Sequence, residues 1–435
     1  MLILIFTNQC KAQNTIINGV SGFYVKEKNN LSIGFVSTTL DYPIKSYNKI
    51  KYQGGLQFIG SAVGNRGGYF AFGYRIEGEL TSEKKIKFGG NFALLAGGGG
   101  SAPDKDGWML HGTIFSQYQT RNSLKLRLGV SYTHVSSSMI RGFSPSIGVY
   151  WNLSSSKNDS LSTSKGIEWN SVYSEFGVAK FKLNKLEFIG VGASWKKGKW
   201  LTGDVSINAL TNIYGGYMQA LFSTGISLGT SKFQFSPAFV GGVGGGGGVS
   251  IGGGMLIGIQ GSVRYFGLKS NFGVKYQIVN AGKGDFRYQG LFFSFGKSIS
   301  KNNRANFKFY PVFKGYVGPN RFCNLGLRLV AIDWKLVKVM GSTYWAFTNN
   351  KGAYAEGLFE FSIDAPFSIP VYAIGSVGAG AGGGINKNVE SIIRGVGFGV
   401  KSLWNKIPFA IESTYWKGGN VPKFSLTLVC FPFFK

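Results

Sequence analysis

Residues 123–134 read SLKLRLGVSYTH, and the period of that stretch is two. Leu124, Leu126, Leu128, Val130 and Tyr132 share one face of an extended chain, while Lys125, Arg127, Ser131 and Thr133 share the other. The C-terminal KFSLTLVCF (423–431) behaves alike, with Phe424, Leu426, Leu428 and Cys430 set against Lys423, Ser425 and Thr427. LSIGFVSTTL, LEFIGVGASW, NLGLRLVAIDW and YQGLFFSFGKS follow the same rule. Sustained helical periodicity is rare, so the chain reads as all-β.

The composition agrees. Hydrophobic residues make up 44% of 435 residues and aromatics 15%, which excludes general disorder. Glycine is abundant at 67 and proline scarce at 11, with no G-X-Y period, which excludes collagen and Pro-rich linkers. The formal net charge of +28 predicts attraction to polyanions. Its Lys and Arg are spread singly rather than in runs, which favours an anionic membrane surface over nucleic acid. Nowhere do 18 consecutive apolar residues occur, so no helix of the sequence spans a bilayer.

The opening MLILIFTNQCKAQNT carries a short apolar run, Leu2–Phe6, and a small residue, Ala12. Residues 1–13 read as the back half of a secretory signal peptide. Cys10 would leave with it, and Cys323 and Cys430 alone make neither a disulfide framework nor a metal site. No cofactor motif is present. NAGKGD (280–285) lacks P-loop spacing, and DKDG (104–107) reads as a turn rather than a Ca²⁺ loop.

One segment appears three times: GGYFAFGYRIEGEL around Tyr69, GGYMQALFSTGISL around Tyr217 and GAYAEGLFEFSI around Tyr354. Each is followed by a glycine tract. The tracts are Gly97, Gly98, Gly99 and Gly100, then Gly244, Gly245, Gly246, Gly247 and Gly248, then Gly382, Gly383 and Gly384. Interleaving with Val, Ile and Phe argues against a flexible linker. Strand-like sequence is expected to continue through each tract, with glycine kept for a bend or for close approach of another group. The copies span 14–155, 166–300 and 304–435, with about eight strand-like segments in each and about 24 in all.

The alternation of bulky apolar residues with Gly, Ser, Lys and Thr is what a strand between lipid and a polar lumen requires. The C-terminal segment ending in Phe424, Leu426, Leu428 and Phe434 resembles the terminal strand of bacterial outer-membrane β-barrels. In those proteins the assembly machinery reads an aromatic-ended amphipathic strand. Pro432 and the final Lys435 depart from that pattern. The "KAQ" leader end and the Asn/Lys/Phe-rich style are similar to exported proteins of the Bacteroidetes. The resemblance implies the outer membrane of a Gram-negative bacterium, with outer-membrane lipid and lipopolysaccharide as surroundings.

The expected fold is therefore a transmembrane antiparallel β-barrel. One closed barrel of about 24 strands is preferred, because closure pairs every backbone group in lipid and the polar linkers are short. Three tandem eight-stranded barrels are the alternative. A barrel as wide as the first would need its lumen filled by inward-folded segments, or by a protein partner or plug.

The expected function is non-enzymatic: a channel, or a scaffold subunit of a surface or secretion assembly. An extracellular β-repeat adhesin is a further alternative. His111 reads as a lumen-facing polar side chain. His134 shares the parity of Leu124–Tyr132, and Ser136 shares it too. This His-x-Ser pair resembles the lipid A 3-O-deacylases and outer-membrane phospholipases. The resemblance would make His134 a general base and Ser136 a nucleophile acting on membrane lipid. The Glu or Asn that orients the base in those families has no counterpart here: Asn152 has the wrong parity, and no acid lies between Asp106 and Asp159.

Overall fold

The computed structural model describes residues 15–430 apart from 27–31, 65, 82–84, 100–105, 121–123, 137–139, 155–166, 213, 215, 231, 268–269, 299–307, 335, 352, 367–368, 383–391, 405–406 and 419. The signal-like segment 1–13, Gly100, Gly383, Gly384 and Phe434 lie outside the described residues. Among the described residues there are 25 strands and no helix.

The strands close into three rings instead of one. The first is β1 (Thr15–Lys26), β2 (Ser32–Tyr47), β3 (Ile50–Val63), β4 (Tyr69–Leu80), β5 (Ile86–Gly99), β6 (Trp108–Gln119), β7 (Leu124–Val135) and β8 (Arg141–Ser154). The second begins with β9 (Ile167–Phe181), β10 (Asn184–Lys197), β11 (Leu201–Leu210) and β12 (Met218–Ile226), the last extended by the two-residue β13 (Leu228–Gly229). It continues through β14 (Phe233–Gly245), β15 (Met255–Phe266), β16 (Ser270–Ala281) and β17 (Arg287–Ser298). The third is β18 (Lys308–Val317), β19 (Phe322–Asp333), β20 (Val337–Ala346), β21 (Ala355–Asp364), β22 (Val371–Ala381), β23 (Ile392–Trp404), β24 (Ile407–Lys417) and β25 (Phe424–Cys430).

The preferred single barrel is thus corrected to the tandem arrangement. The reason is the pairing of the outermost strands. β17 returns to β9, from Gln289↔Lys180 to Ser298↔Ser171, and β25 returns to β18, from Val312↔Val429 to Val317↔Phe424. An even number of antiparallel strands brings a barrel's first and last residues to the same end.

The alternation seen in the sequence becomes an outside and an inside. Along β7, Leu126, Leu128, Val130 and Tyr132 point outward, with Leu128 61% exposed, while Lys125, Arg127, Ser131 and Thr133 are buried within the barrel. β21 puts Phe359, Phe361 and Ile363 outside and Glu356, Leu358, Glu360 and Ser362 inside. Phe424 and Leu426 of the C-terminal strand also face outward, and Ser425 and Thr427 inward. Apolar side chains outside and charged ones inside is the reverse of a water-soluble barrel. It is the arrangement stable in lipid, where closure satisfies the backbone. Strands of 9 to 16 residues, leaving β13 and the terminal β25 aside, are long enough to cross when tilted.

Connections are tight at one end of each barrel. The β2–β3 hairpin turns on Asn48 and Lys49, both at positive φ (44° and 63°), the geometry that suits the right-handed twist of the flanking strands. The longest connection of each barrel lies at the opposite end: 100–107, 246–254 and 382–391. Each directly follows a glycine-rich strand, β5, β14 or β22.

The chain forms two compact units. One comprises Met1–Ile59, Phe70–Asn152 and Phe307–Lys435; the other comprises Gly60–Tyr69 and Leu153–Asn306. Within the first unit, the outer walls of the first and third barrels touch. The Tyr74 hydroxyl donates to the Gly326 carbonyl at 2.6 Å, and Phe58 meets Trp345 edge-on with centroids 6.3 Å apart.

Candidate functional site

The site that decides between a pore and a solid barrel is the lumen. In the first barrel, β4 aims Arg75, Glu77 and Glu79 inward at successive alternate positions, and β7 aims Lys125 and Arg127. Arg127 donates through Nη1 and Nη2 to the two oxygens of Glu77, at 2.7 and 2.5 Å, and through Nε to Gln117 at 2.7 Å. Its guanidinium lies 4.0 Å from the Phe115 ring centre and 3.8 Å from that of Tyr150. Arg75 joins Glu77 to Asp41, with Nε 3.3 Å from the Asp41 carboxylate. Glu79 receives Lys87 at 3.4 Å and Lys125 at 3.6 Å. The paired, hydrogen-bonded arrangement lets these charges sit buried.

Among the described residues, the lumen of the second barrel holds two ion pairs. Arg264 donates to Asp204 at 2.6 Å and Lys275 to Glu175 at 2.8 Å. Gln260 braces Asp204 at 2.9 Å. Toward the long-connection end the polar lumen gives way to an apolar cluster that includes Phe188, Leu210, Tyr217, Leu256, Phe286 and Ile251.

Ile251 belongs to the 246–254 connection rather than to a strand, so this part of the glycine-rich segment folds inward over the barrel mouth. It is held there by Gly244 N–H donating to Gly254 O at 2.8 Å and Phe286 N–H donating to Ser250 O at 3.2 Å. The expectation that a strand runs on through this tract is corrected. β14 stops at Gly245, because Gly246, Gly247 and Gly248 turn the chain at φ values of 93°, 57° and 73°.

In the third barrel Arg328 is the hub. From β19 it donates through Nε to Glu360 at 2.7 Å, and through Nη1 and Nη2 to Glu412 at 2.6 and 2.8 Å. Lys314 pairs with Glu356, which also accepts from the hydroxyls of Tyr316 and Tyr354, each at 2.7 Å. Lys314 Nζ stands 3.7 Å from the Trp416 ring centre.

These three clusters contain eight cations (Arg75, Lys87, Lys125, Arg127, Arg264, Lys275, Lys314 and Arg328). Eight carboxylates match them: Asp41, Glu77, Glu79, Glu175, Asp204, Glu356, Glu360 and Glu412. The first cluster holds one cation more than carboxylates and the third one carboxylate more than cations. These sixteen charges therefore cancel only in sum, and the excess of +28 is carried by other residues. Within the first lumen a cavity of about 20 Å³ remains, lined in part by Arg127, Ser131 and Tyr150. That is room for one water. Sequence reading passed over these charges because carboxylates are sparse. The available signal was their parity: Arg75, Glu77, Glu79, Glu356 and Glu360 all fall on the side of their strand opposite the apolar residues.

His111 is a lumen residue. Its Nδ1 is 3.0 Å from Thr133 Oγ1, Nε2 is 3.3 Å from Thr113 Oγ1, and its ring stacks on Phe23 at 4.5 Å. His134 lies on the outer face with its ring 5.3 Å from that of Trp108. Ser136, however, sits past the end of β7 in a turn and is 2% exposed, with its N–H donating to Trp108 O at 2.8 Å. The pair is therefore not presented side by side to lipid. Among the described residues no group of three or more His, Cys, Asp or Glu side chains is placed to hold a metal.

The glycine tracts mark close approaches. A Cβ on Gly97 would lie 2.0 Å from the Phe70 carbonyl, and one on Gly244 would lie 2.9 Å from the Tyr217 hydroxyl and 2.6 Å from Leu256. Tyr69, Tyr217 and Tyr354 are all fully buried.

Closed antiparallel barrels with apolar outsides and ion-paired insides define the class: this is a transmembrane β-barrel protein. Its similarity to particular proteins is faint. Among solved structures it resembles OccK11 (OpdR) of Pseudomonas aeruginosa at 11% identity, with a TM-score of 0.25 over 97% of this chain and 96% of that one. It resembles the ferric enterobactin receptor PfeA of the same organism at 10% identity, with a TM-score of 0.33 over 98% and 81%. For Acinetobacter baumannii OccAB4 the values are 9%, 0.24, and 97% and 98%. At these levels the likeness says nothing of what this chain does. No protein-family model matches the chain, and no curated protein matches it.

Proposed function

We propose that the chain is a non-enzymatic scaffold of a Gram-negative outer membrane: three self-filled eight-stranded barrels, arisen by triplication and joined in one polypeptide. The observation that carries this reading is the set of buried ion-pair networks that occupy the lumens. Eight-stranded barrels are just wide enough for their own side chains, and here those side chains are tied together. A lumen so filled needs no plug or partner inside it.

The ends of the barrels support an orientation. The chain enters and leaves each barrel at the end with the tighter turns, and the longest connections lie opposite. In outer-membrane barrels short turns face the periplasm and longer loops face outward. All connections are short, which favours a membrane-embedded scaffold over an adhesin with projecting loops. The excess positive charge, lying outside the lumen clusters, suits contact with lipid phosphates.

Conductance separates the scaffold from the channel. Purified protein incorporated into planar lipid bilayers is expected to give no current steps above the protein-free membrane between −100 and +100 mV, roughly the range of biological potentials. Stable ohmic steps would replace the scaffold with a channel.

A further inference from the structure

The outer wall of the second barrel carries a groove of about 710 Å³, lined by side chains that include Phe176, Phe233, Val263, Phe272, Phe293 and Phe295. Its floor is a row of four rings at one level. Phe233 faces Tyr265 across β14–β15, Tyr265 faces Phe272 across β15–β16, and Phe272 faces Phe295 across β16–β17. The rings of Phe233 and Tyr265 are 4.9 Å apart, and those of Phe272 and Phe295 are 5.0 Å apart. Phe295 and Phe233 remain more than half exposed, so among the described residues of this barrel nothing covers the row.

Immediately beyond the row come two exposed lysines. Lys297 lies two residues past Phe295 on the same face of β17, and Lys232 directly precedes Phe233. The ion pairs of this barrel use Lys185, Arg264 and Lys275; among the described residues Lys232 and Lys297 have none. At the same end of the barrel, in the β10–β11 turn, Lys199 Nζ stands 5.1 Å from the ring centre of the exposed Trp200. Trp beside Lys at a barrel end marks the headgroup level of a bilayer.

The order along the wall is then apolar groove, aromatic row, unpaired cations. That is the order of acyl chain, glycerol and phosphate in a phospholipid standing in the membrane. We propose that this groove seats one anionic phospholipid, with acyl chains against Phe176, Val263 and Phe293 and its phosphate between Lys232 and Lys297. A protein surface would not need its charge confined to one end, and a zwitterionic lipid would leave the two cations uncompensated. The proposal rests on the membrane-embedded reading given above.

The test uses the full chain, purified in mild detergent and equilibrated with equal amounts of phosphatidylglycerol and phosphatidylethanolamine. Native mass spectrometry then counts the lipid retained. The expected result is one phosphatidylglycerol per chain, preferred by about tenfold or more, as two lysines near one anionic headgroup imply. Lys232→Glu with Lys297→Glu is expected to abolish the preference without altering the heat-dependent gel shift of the folded protein. If that pair fails to fold, Lys232→Gln with Lys297→Gln is expected to lower the preference severalfold.

Equal retention of both lipids, or a preference that survives loss of both lysines, overturns the seat. So does a dimer that forms without lipid and is broken by the same substitutions, since a second copy would then occupy the groove. A chain that stays soluble without detergent overturns the membrane reading itself. A detergent-requiring, heat-modifiable chain with no lipid preference overturns the seat alone.

Discussion

Arg328→Ala is expected to destabilise the third barrel by about 3–5 kcal/mol, the cost typical of breaking a buried ion pair from one side. The arginine is 2% exposed and reaches from β19 to Glu360 on β21 and Glu412 on β24. Its loss leaves two carboxylates facing each other with no cation between them. The folded form, followed by its faster migration before boiling, is expected to be lost at a markedly lower temperature. Arg328→Met combined with Glu360→Gln and Glu412→Gln removes all three charges together and is expected to recover most of that loss. An unchanged transition in the single variant would mean that the lumen network does not hold the barrel together.

Replacing Gly244, Gly245, Gly246, Gly247 and Gly248 together by alanine is expected to prevent assembly of the second barrel. Two effects combine. Cβ atoms on Gly246 and Gly247 would lie 2.2 Å from the Gly216 carbonyl and 2.3 Å from the Tyr214 carbonyl, contacts that backbone cannot yield. The positive φ of Gly246, Gly247 and Gly248 adds roughly 1–2 kcal/mol at each alanine. Two single substitutions separate these causes. Gly248→Ala meets no atom within 4 Å and is expected to pay only the backbone term. Gly241→Ala also meets none, lies within β14 outside the positive-φ region, and is expected to be close to neutral. Resistance to trypsin and heat-modifiable migration measure all three. Normal assembly of the five-alanine variant would remove the glycine tract from the account of the fold.

The period of two made most of the strands legible. In β7 it assigned Leu126, Leu128, Val130 and Tyr132 to lipid and Arg127 to the interior, as found. It could not tell which strand pairs with which. The local pattern of β9 is the same whether its neighbour is β8 or β17, so one large ring and three small ones share an alternation. Parity also loses meaning once a strand ends. His134 keeps its outward place inside β7, but Ser136 lies beyond Val135, where the chain has already turned. In the same way Ile251 was hidden in an apparently continuous glycine-rich strand, because the left-handed turns at Gly246–Gly248 have no signature beyond glycine itself. The charge networks were readable in principle from inward parity. Their partners lie up to 100 residues apart, as Glu175 and Lys275 do, and only the closed ring brings them together.

The closure of each barrel on itself is the central claim, and a disulfide tests it in the intact chain. Val178 on β9 and Leu291 on β17 face each other across the seam of the second barrel, both on its outer wall. With Cys10, Cys323 and Cys430 replaced by serine, Val178→Cys and Leu291→Cys are expected to oxidise to an intramolecular disulfide in membranes, since directly opposed strand residues lie within its reach. Absence of that bond, with Val178→Cys linking instead to a cysteine placed on β8, would contradict three closed rings and restore the single barrel.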